Sequence, residues 1–376
     1  MIGLVLSGGG ARGAYQVGVI NAIAEIAAKL KLNTPFQIYT GVSAGAINAT
    51  YLAAGADDFV QTAHKLSDLW SRLHVENVFR TDALSLGRIG MQWMSELSLG
   101  GVSGTTPGRA LLDTSPLREL LVNNLAFTKI DHLIQKKILH AVAISATDYR
   151  TSTSVTFIEG DSSVTTWERA RRRSEKNKLR AEHVMASAAI PLLFPPIQVD
   201  QRYFGDGCVR NLAPCSPAIH MGAQKLMVIG VRRQTTTLFE QQVIEQGQGP
   251  SVARVVNVLL NAVLLDGIEL DIERMNRINE FVEKVPKEHQ ASLNFKPVDY
   301  VWVHPSGDIG ALAAKKAAKL PRIIRYLLKG LGPLEDASEI ISYLLFEPDF
   351  CKELIEMGYA DGMRSREQIT QLLTSN

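Results

Sequence analysis

The segment Gly41-Val42-Ser43-Ala44-Gly45 narrows the folds open to this chain more than any other. A β-type run, Phe36 to Tyr39, precedes it, and a small-residue helical stretch, Ala44 to Ala54, follows. A serine between a strand and a helix presents its hydroxyl only from a sharp, strained turn, and glycines two places before and after leave room for that turn. Gly41 and Gly45 meet this requirement; an ordinary helix N-cap serine is the alternative. The same grammar occurs earlier. Ile2 to Leu6 is an aliphatic run closed by Gly8, Gly9 and Gly10, and Ala14 to Leu30 then carries apolar residues at helical spacing. Two strand–glycine–helix units in succession predict an α/β fold with a mostly parallel sheet covered by helices.

Helices are expected at Asp57 to Leu73, Ala83 to Glu96 and Pro116 to Asn123, and a surface loop at Ser98 to Gly108. A strand at Lys137 to Ser145 has a hairpin partner at Ser152 to Ile158. The basic run 168–180 reads as a solvated loop, or else as a contact with anionic lipid headgroups or a mobile flap near the site, ahead of a short helix at Glu182 to Ala189. A hairpin at Ile197 to Phe204, strands at Lys225 to Val231 and Tyr300 to Val303, and one long helix at Ser251 to Val285 complete the core pattern. From Gly307 onward the pattern is helical, so the division expected is a domain over 1–320 and a helical C-terminal extension over 321–376.

Lys plus Arg number 40 and Asp plus Glu 38, a net charge of +2 that is too balanced for a protein built around a nucleic-acid backbone. Three cysteines, Cys208, Cys215 and Cys351, are too few for a disulfide framework, they form no C-x-x-C pair that would suggest structural zinc or redox chemistry, and Cys208, Cys215 and His220 match no zinc spacing; no metal or cofactor is expected. The longest apolar stretch, Val255 to Leu265, is broken by Asn257 and Asn261 and is shorter than the ~20 residues that span a bilayer. Membrane contact is therefore expected to be peripheral, and the opening residues, without a basic leader, fit a cytoplasmic protein.

Gly8-x-Gly10-x-x-Gly13 has the spacing of a dinucleotide fingerprint, but the second strand runs into Thr40-Gly41 without the acid that would hold a ribose. Packing glycines, or a cradle of backbone N–H groups for another anion, are the remaining readings. Asp206, in Phe204-Gly205-Asp206-Gly207, is either a turn residue or a base for Ser43. Partial desolvation would raise its pKa enough for it to act without histidine.

Gly8-Gly9-Gly10-Ala11-Arg12-Gly13, Gly41-Val42-Ser43-Ala44-Gly45 and Asp206-Gly207, in this order, resemble the patatin-like phospholipase family, as does Ala186-Ser187-Ala188-Ala189-Ile190-Pro191. The resemblance covers roughly residues 1–220. It implies a three-layer α/β/α fold and a lipid acyl hydrolase that cleaves phospholipid or other fatty-acyl esters through an acyl-serine. Ser43 would be the nucleophile, Asp206 the base, and the block Gly8, Gly9, Gly10, Arg12 and Gly13 the oxyanion loop, with Arg12 ordering that loop or meeting an anion. Cys208 stands where the family usually has Gly or Ala.

Two rivals remain at this level. One is a Ser-His-Asp esterase that recruits His220 or His304, and the other is a non-catalytic membrane-binding or protein-binding module of the same fold. A dyad predicts activity that rises through the carboxylate transition, with no histidine limb near the usual pKa of ~6.5. Leu320 to Leu331 resembles an interfacial amphipathic helix, core packing with a charged outer face being the alternative.

Overall fold

The computed structural model describes residues 1–80, 111–234, 249–265, 267–290, 292–293 and 295–375. The helix expected at Ala83 to Glu96 and the loop expected at Ser98 to Gly108 lie outside them. Ten strands form one sheet: β1 Ile2–Leu6, β2 Ile38–Val42, β3 Ala141–Asp148, β4 Thr153–Gly160, β5 Glu168–Arg169, β6 Arg172–Lys176, β7 Ile197–Val199, β8 Arg202–Asp206, β9 Lys225–Ile229 and β10 Asp299–Val303. The order is β10-β9-β1-β2-β3-β4-β6-β5, with β8 paired to β3 and to β7. The run from β10 to β3 is parallel throughout.

Alternation along these strands sorts side chains to two apolar cores, as a pleated sheet covered on both faces requires. Leu4, Leu6, Tyr39, Val142, Ile144, Met227 and Ile229 belong to the larger one. Helices α1 Gly13–Lys29, α2 Ala44–Ala53, α3 Phe59–Ser71, α4 Ser115–Asn124, α5 Phe127–Gln135 and α6 Ala181–Ser187 contribute to that core. Val5, Ile38, Ala141, Ala143, Leu226 and Val228 face the smaller one, closed by α7 Ser216–His220 and by α9 Gly267–Lys284, which follows α8 Val252–Leu264. This is a three-layer α/β/α arrangement. The chain ends in helices α10 Lys287–Gln290, α11 Ile309–Lys315, α12 Arg322–Leu331, α13 Ser338–Leu344, α14 Pro348–Arg364 and α15 Arg366–Thr374.

Three expectations change. β2 runs on through Gly41 to Val42, so the strand leads straight into Ser43. The helical pattern expected over Ser251 to Val285 is divided into α8 and α9. The basic run is partly sheet edge, with β6 parallel to β4, and several of its cations are engaged: Arg173 meets Glu175 at 3.1 Å and Arg180 meets Asp200 at 2.7 Å. A loose flap is not what these residues build.

The helices beyond residue 320 share the larger core, to which α14 gives Phe350, Cys351 and Leu354 and α15 gives Ile369 and Leu372. The contact of α14 with α1 is backbone-close. A Cβ on Gly358 would lie 2.1 Å from the Tyr15 carbonyl, and one on Gly18 would lie 2.0 Å from that of Ile355. Tyr15 Oη also donates to Asp361 at 2.9 Å across the same junction. Gly358→Ala is therefore expected to destabilise the protein by about 1–3 kcal/mol, because overpacking outweighs the gain in helix propensity. Urea unfolding measures this, and an unchanged midpoint would show that the crossing tolerates a methyl group.

Candidate active site

Strand β3 acts as a ruler. Its edge facing β2 carries two partners in succession: β2 pairs along it up to Val42 opposite Ser145, and antiparallel β8 takes over with Asp206 opposite Ala146. β4 occupies the other edge of β3 over its whole length. Ser43, the first residue past β2, and Asp206, the last residue of β8, are thus brought together from positions far apart in sequence. Ser43 has φ 55° and ψ −126°, an unusual conformation for a residue with a side chain. Strain of this kind costs on the order of 1–3 kcal/mol and persists only where the surroundings enforce it.

Those surroundings are visible. A Cβ on Gly41 would lie 2.1 Å from the Gly45 carbonyl, and one on Gly45 would lie 2.3 Å from that of Leu6, so both glycines are there for close backbone approach. The Ser43 N–H donates to Ser187 Oγ at 2.9 Å, and Ser187 donates to the Ser145 carbonyl at 2.7 Å. Two residues later, Ala189 accepts the Asp206 N–H at 2.8 Å. The block Ala186 to Ala189 therefore ties the serine turn and the aspartate to β3.

Asp206 is 1% exposed and Ser43 3%. Burial pushes the carboxyl pKa up to about 6, against the opposing pull of the Ser43 hydroxyl and of the Cys208 N–H, which donates to Oδ1 at 2.9 Å. Oδ2 is buried, and no donor among the described residues meets it in full hydrogen-bond geometry. The carboxylate thus keeps one oxygen free for a proton.

The glycine turn lies alongside. A Cβ on Gly8 would be 3.0 Å from Ser43 Cβ and 2.3 Å from Cys208 Sγ. The Gly8 N–H points to the Cys208 sulfur, whose thiol pKa is raised by burial and by Asp206. The amides of Arg12 and Gly13 are used inside the turn, on the Gly9 and Gly10 carbonyls. Those of Gly9 and Gly10 meet no acceptor among the described residues, so a ligand oxyanion could be met there.

The buried side chain of Arg12 turns toward the C-terminal helices. It pairs with Glu339, donates from Nε to Ser342 Oγ at 2.8 Å, and lies over the Tyr343 ring at 5.2 Å. Of the two roles expected for it, its contacts are those of loop ordering. Gly10, at φ 56°, passes so near Tyr343 that a Cβ would lie 2.3 Å from its carbonyl oxygen. A second brace runs from Trp70 Nε1 to Asn48 at 2.8 Å, from Asn48 to Gln16 at 3.0 Å, and from Gln16 to the Ser7 carbonyl at 2.7 Å. Sequence reasoning gave no role to Gln16, Asn48, Glu339 or Ser342. Asn48 carried a signal, as the one side-chain amide in the mostly small and apolar Ala44 to Ala54.

No histidine hydrogen-bonds Ser43 or Asp206 among the described residues. His220 stacks on Trp167 with centroids 4.7 Å apart, and His304 lies beside Trp302 and its own Pro305 carbonyl. His183 is buried against Phe157, and burial lowers its pKa to about 4. Cys208, Cys215 and His220 make no cluster. His74, Glu76 and Glu347 do bring ligand atoms within 4.8 Å of one another, at the surface.

Gly10, Ser43 and Ala44 line a cleft together with apolar residues, among them Ile47, Leu69, Leu73, Ile190, Phe194 and Phe346. Fold and site together define a three-layer α/β protein with a strained serine at a strand-to-helix turn, beside an apolar cleft. The chain belongs to the patatin-like phospholipase family, whose model matches residues 4–219, more than half of its length. VipD from Legionella pneumophila aligns at 15% identity and TM-score 0.38, covering 97% of this chain and 66% of that one. The type III effector ExoU aligns at 13% identity and TM-score 0.38, covering 98% and 53%. Human GIVD cytosolic phospholipase A2, solved with methyl γ-linolenyl fluorophosphonate, aligns at 10% and 0.41, covering 99% and 59%. The chain thus spans between about half and two thirds of each of these proteins. No curated protein sequence matches it, and no described helix is long and apolar enough to cross a membrane.

Because the carboxyl pKa is about 6 in the native state against 3.8 for an ordinary aspartate, the folded protein holds this proton more tightly than the unfolded chain. Stability is then lost as pH rises from 3.8 through 6, and ionised Asp206 costs about 3 kcal/mol above that window. Asp206→Asn is expected to be more stable than wild type at neutral pH, with the difference vanishing near pH 4. Denaturant midpoints across that range check the sign.

Proposed function

We propose that the protein is a serine carboxylic-ester hydrolase of the phospholipase A or lysophospholipase type, working through a Ser43–Asp206 dyad. The observation that carries this reading is the strained Ser43 beside a buried carboxylate, one oxygen of which meets no donor in full hydrogen-bond geometry among the described residues. Ser43 Oγ attacks the ester carbonyl carbon while Asp206 takes its proton. The carbonyl oxygen becomes an oxyanion held by the Gly9 and Gly10 amides, a type of contact worth about 10²–10³ in rate per donor. Collapse breaks the ester bond, and the departing alcohol takes the proton from Asp206. Water then attacks the acyl-serine, passes its proton to Asp206, and the fatty acid leaves as Ser43 regains a hydrogen.

The raised pKa suits this work, because a carboxylate near 6 is a stronger base than an exposed one and is still ionised at neutral pH. The apolar cleft at Ser43 suits an acyl chain, and phospholipid or another fatty-acyl ester is the proposed substrate, met at a membrane surface. A cytoplasmic setting remains part of the proposal. So does the division into a catalytic domain over 1–320 and an extension over 321–376.

Ser43→Ala is expected to remove turnover of both a chromogenic medium-chain ester and a mixed lipid extract read by mass spectrometry. With wild type, kcat/KM should rise about tenfold per pH unit below 6 and level off above 7. A histidine base would give a limb in nearly the same place, so the pH profile alone does not separate dyad from triad. The double variant His220→Ala/His304→Ala does: a dyad retains most activity and the same limb, whereas a triad loses both. An intact chain without turnover on any ester, and with no Ser43 dependence, would leave the non-catalytic module.

A further inference from the structure

Helix α8 presents a face that is exposed among the described residues. Val252, Val255, Val258, Leu259 and Val263 recur at helical spacing and are exposed, Val258 by 63% and Leu259 by 60%. Buried Ala253 and Leu264 anchor the helix from its other side. A contiguous apolar stripe of this kind is unusual on a surface that meets only water. Helix α12, which packs on α8, adds three cations, Arg322, Arg325 and Lys329, and no acid. None of the three forms an ion pair among the described residues. Arg322, Tyr326 and Lys329 share one exposed face, with Tyr326 76% exposed, while Ile324 and Leu328 point into the core.

We propose that the apolar stripe of α8 and the basic face of α12 together form a docking surface for an anionic lipid membrane. The inference rests on the reading of this protein as a lipid hydrolase and names the surface by which it would meet its substrate. Aliphatic side chains enter the acyl boundary, a tyrosine sits at headgroup level, and long cationic side chains reach the phosphates. A second copy of the chain is the less suitable occupant, because two-fold pairing would set the same cations of α12 against each other. The surface is also joined to the site. α8 packs on the Gly207–Val209 turn that follows Asp206 and on α13, where Asn257 accepts the Ile340 N–H at 3.3 Å. α13 holds Arg12 and hence the glycine turn.

The test separates docking from catalysis. Ser43→Ala protein, which leaves lipid intact, is floated with vesicles of phosphatidylcholine alone or mixed with phosphatidylglycerol. It is expected to bind the anionic vesicles more tightly. In that background Val258→Asp/Leu259→Asp should lower binding to both vesicle types roughly tenfold or more. Arg322→Gln/Lys329→Gln should lower binding to the anionic vesicles by roughly tenfold or more and leave the neutral ones little changed. With Ser43 restored, the α8 variant should hydrolyse a soluble short-chain ester at the wild-type rate, which shows that it is folded. Vesicle binding is read without turnover, so a failure of the hydrolase reading and a failure of the docking surface give different results. Unchanged vesicle binding by both variants would overturn the proposal. So would sedimentation that shows a wild-type dimer made monomeric by Val258→Asp/Leu259→Asp.

Discussion

The pairing of β3 with two different strands along one edge is the constraint on which the site depends. Ser145 and Ala146 are neighbours in sequence, and their partners across the sheet are Val42 and Asp206. A serine that begins a helix and an aspartate that ends a hairpin are therefore held together by strand register and not by flexible loops. Register in a sheet buried on both faces is hard to slip, since a one-residue shift would send every apolar side chain to the wrong core. Ser187, bonded to the Ser43 amide and to the Ser145 carbonyl, locks the same junction from a third element.

The site is made of conditions that would be unfavourable in isolation. Ser43 is strained, Asp206 is desolvated, and two amides of the glycine turn meet no acceptor among the described residues. Each is tolerated because the neighbouring packing is tight: glycines at 8, 10, 41 and 45 occupy places where a methyl group would collide with a neighbour. The C-terminal helices take part in this, because the Arg12–Glu339–Ser342 contacts hold the turn from outside the region matched by the family model. The residues after 320 are thus more than an appendage to the sheet.

The strand–turn–helix units were legible in sequence because strand and helix periodicities switch at glycines there, and the sheet class followed from their order. Asp206 was legible on its own as one of two things, a turn residue or a base for Ser43, and the family resemblance decided between them, since the register of β8 against β3 leaves no mark on either segment. Ser187 appeared as part of a recognisable block without a role. Glu339 and Ser342 were invisible, because nothing in a helical pattern announces which buried cation it will meet. The sheet-edge part of the basic run was hidden for a related reason: nothing in its sequence announces that β6 will set Arg173 beside Glu175. The break between α8 and α9 was hidden by apolar residues that continue on both sides of it.

The central claim is that the Asp206 carboxylate activates Ser43 directly. The rate of covalent modification by a long-chain alkyl fluorophosphonate, followed against pH with the modified residue located by peptide mass spectrometry, tests it without relying on turnover. The account predicts a single adduct on Ser43, a rate that climbs through pH 6 as Asp206 ionises, and a slow, pH-independent rate in Asp206→Asn. Modification of Asp206→Asn at the wild-type rate, or an adduct on another residue, would contradict it.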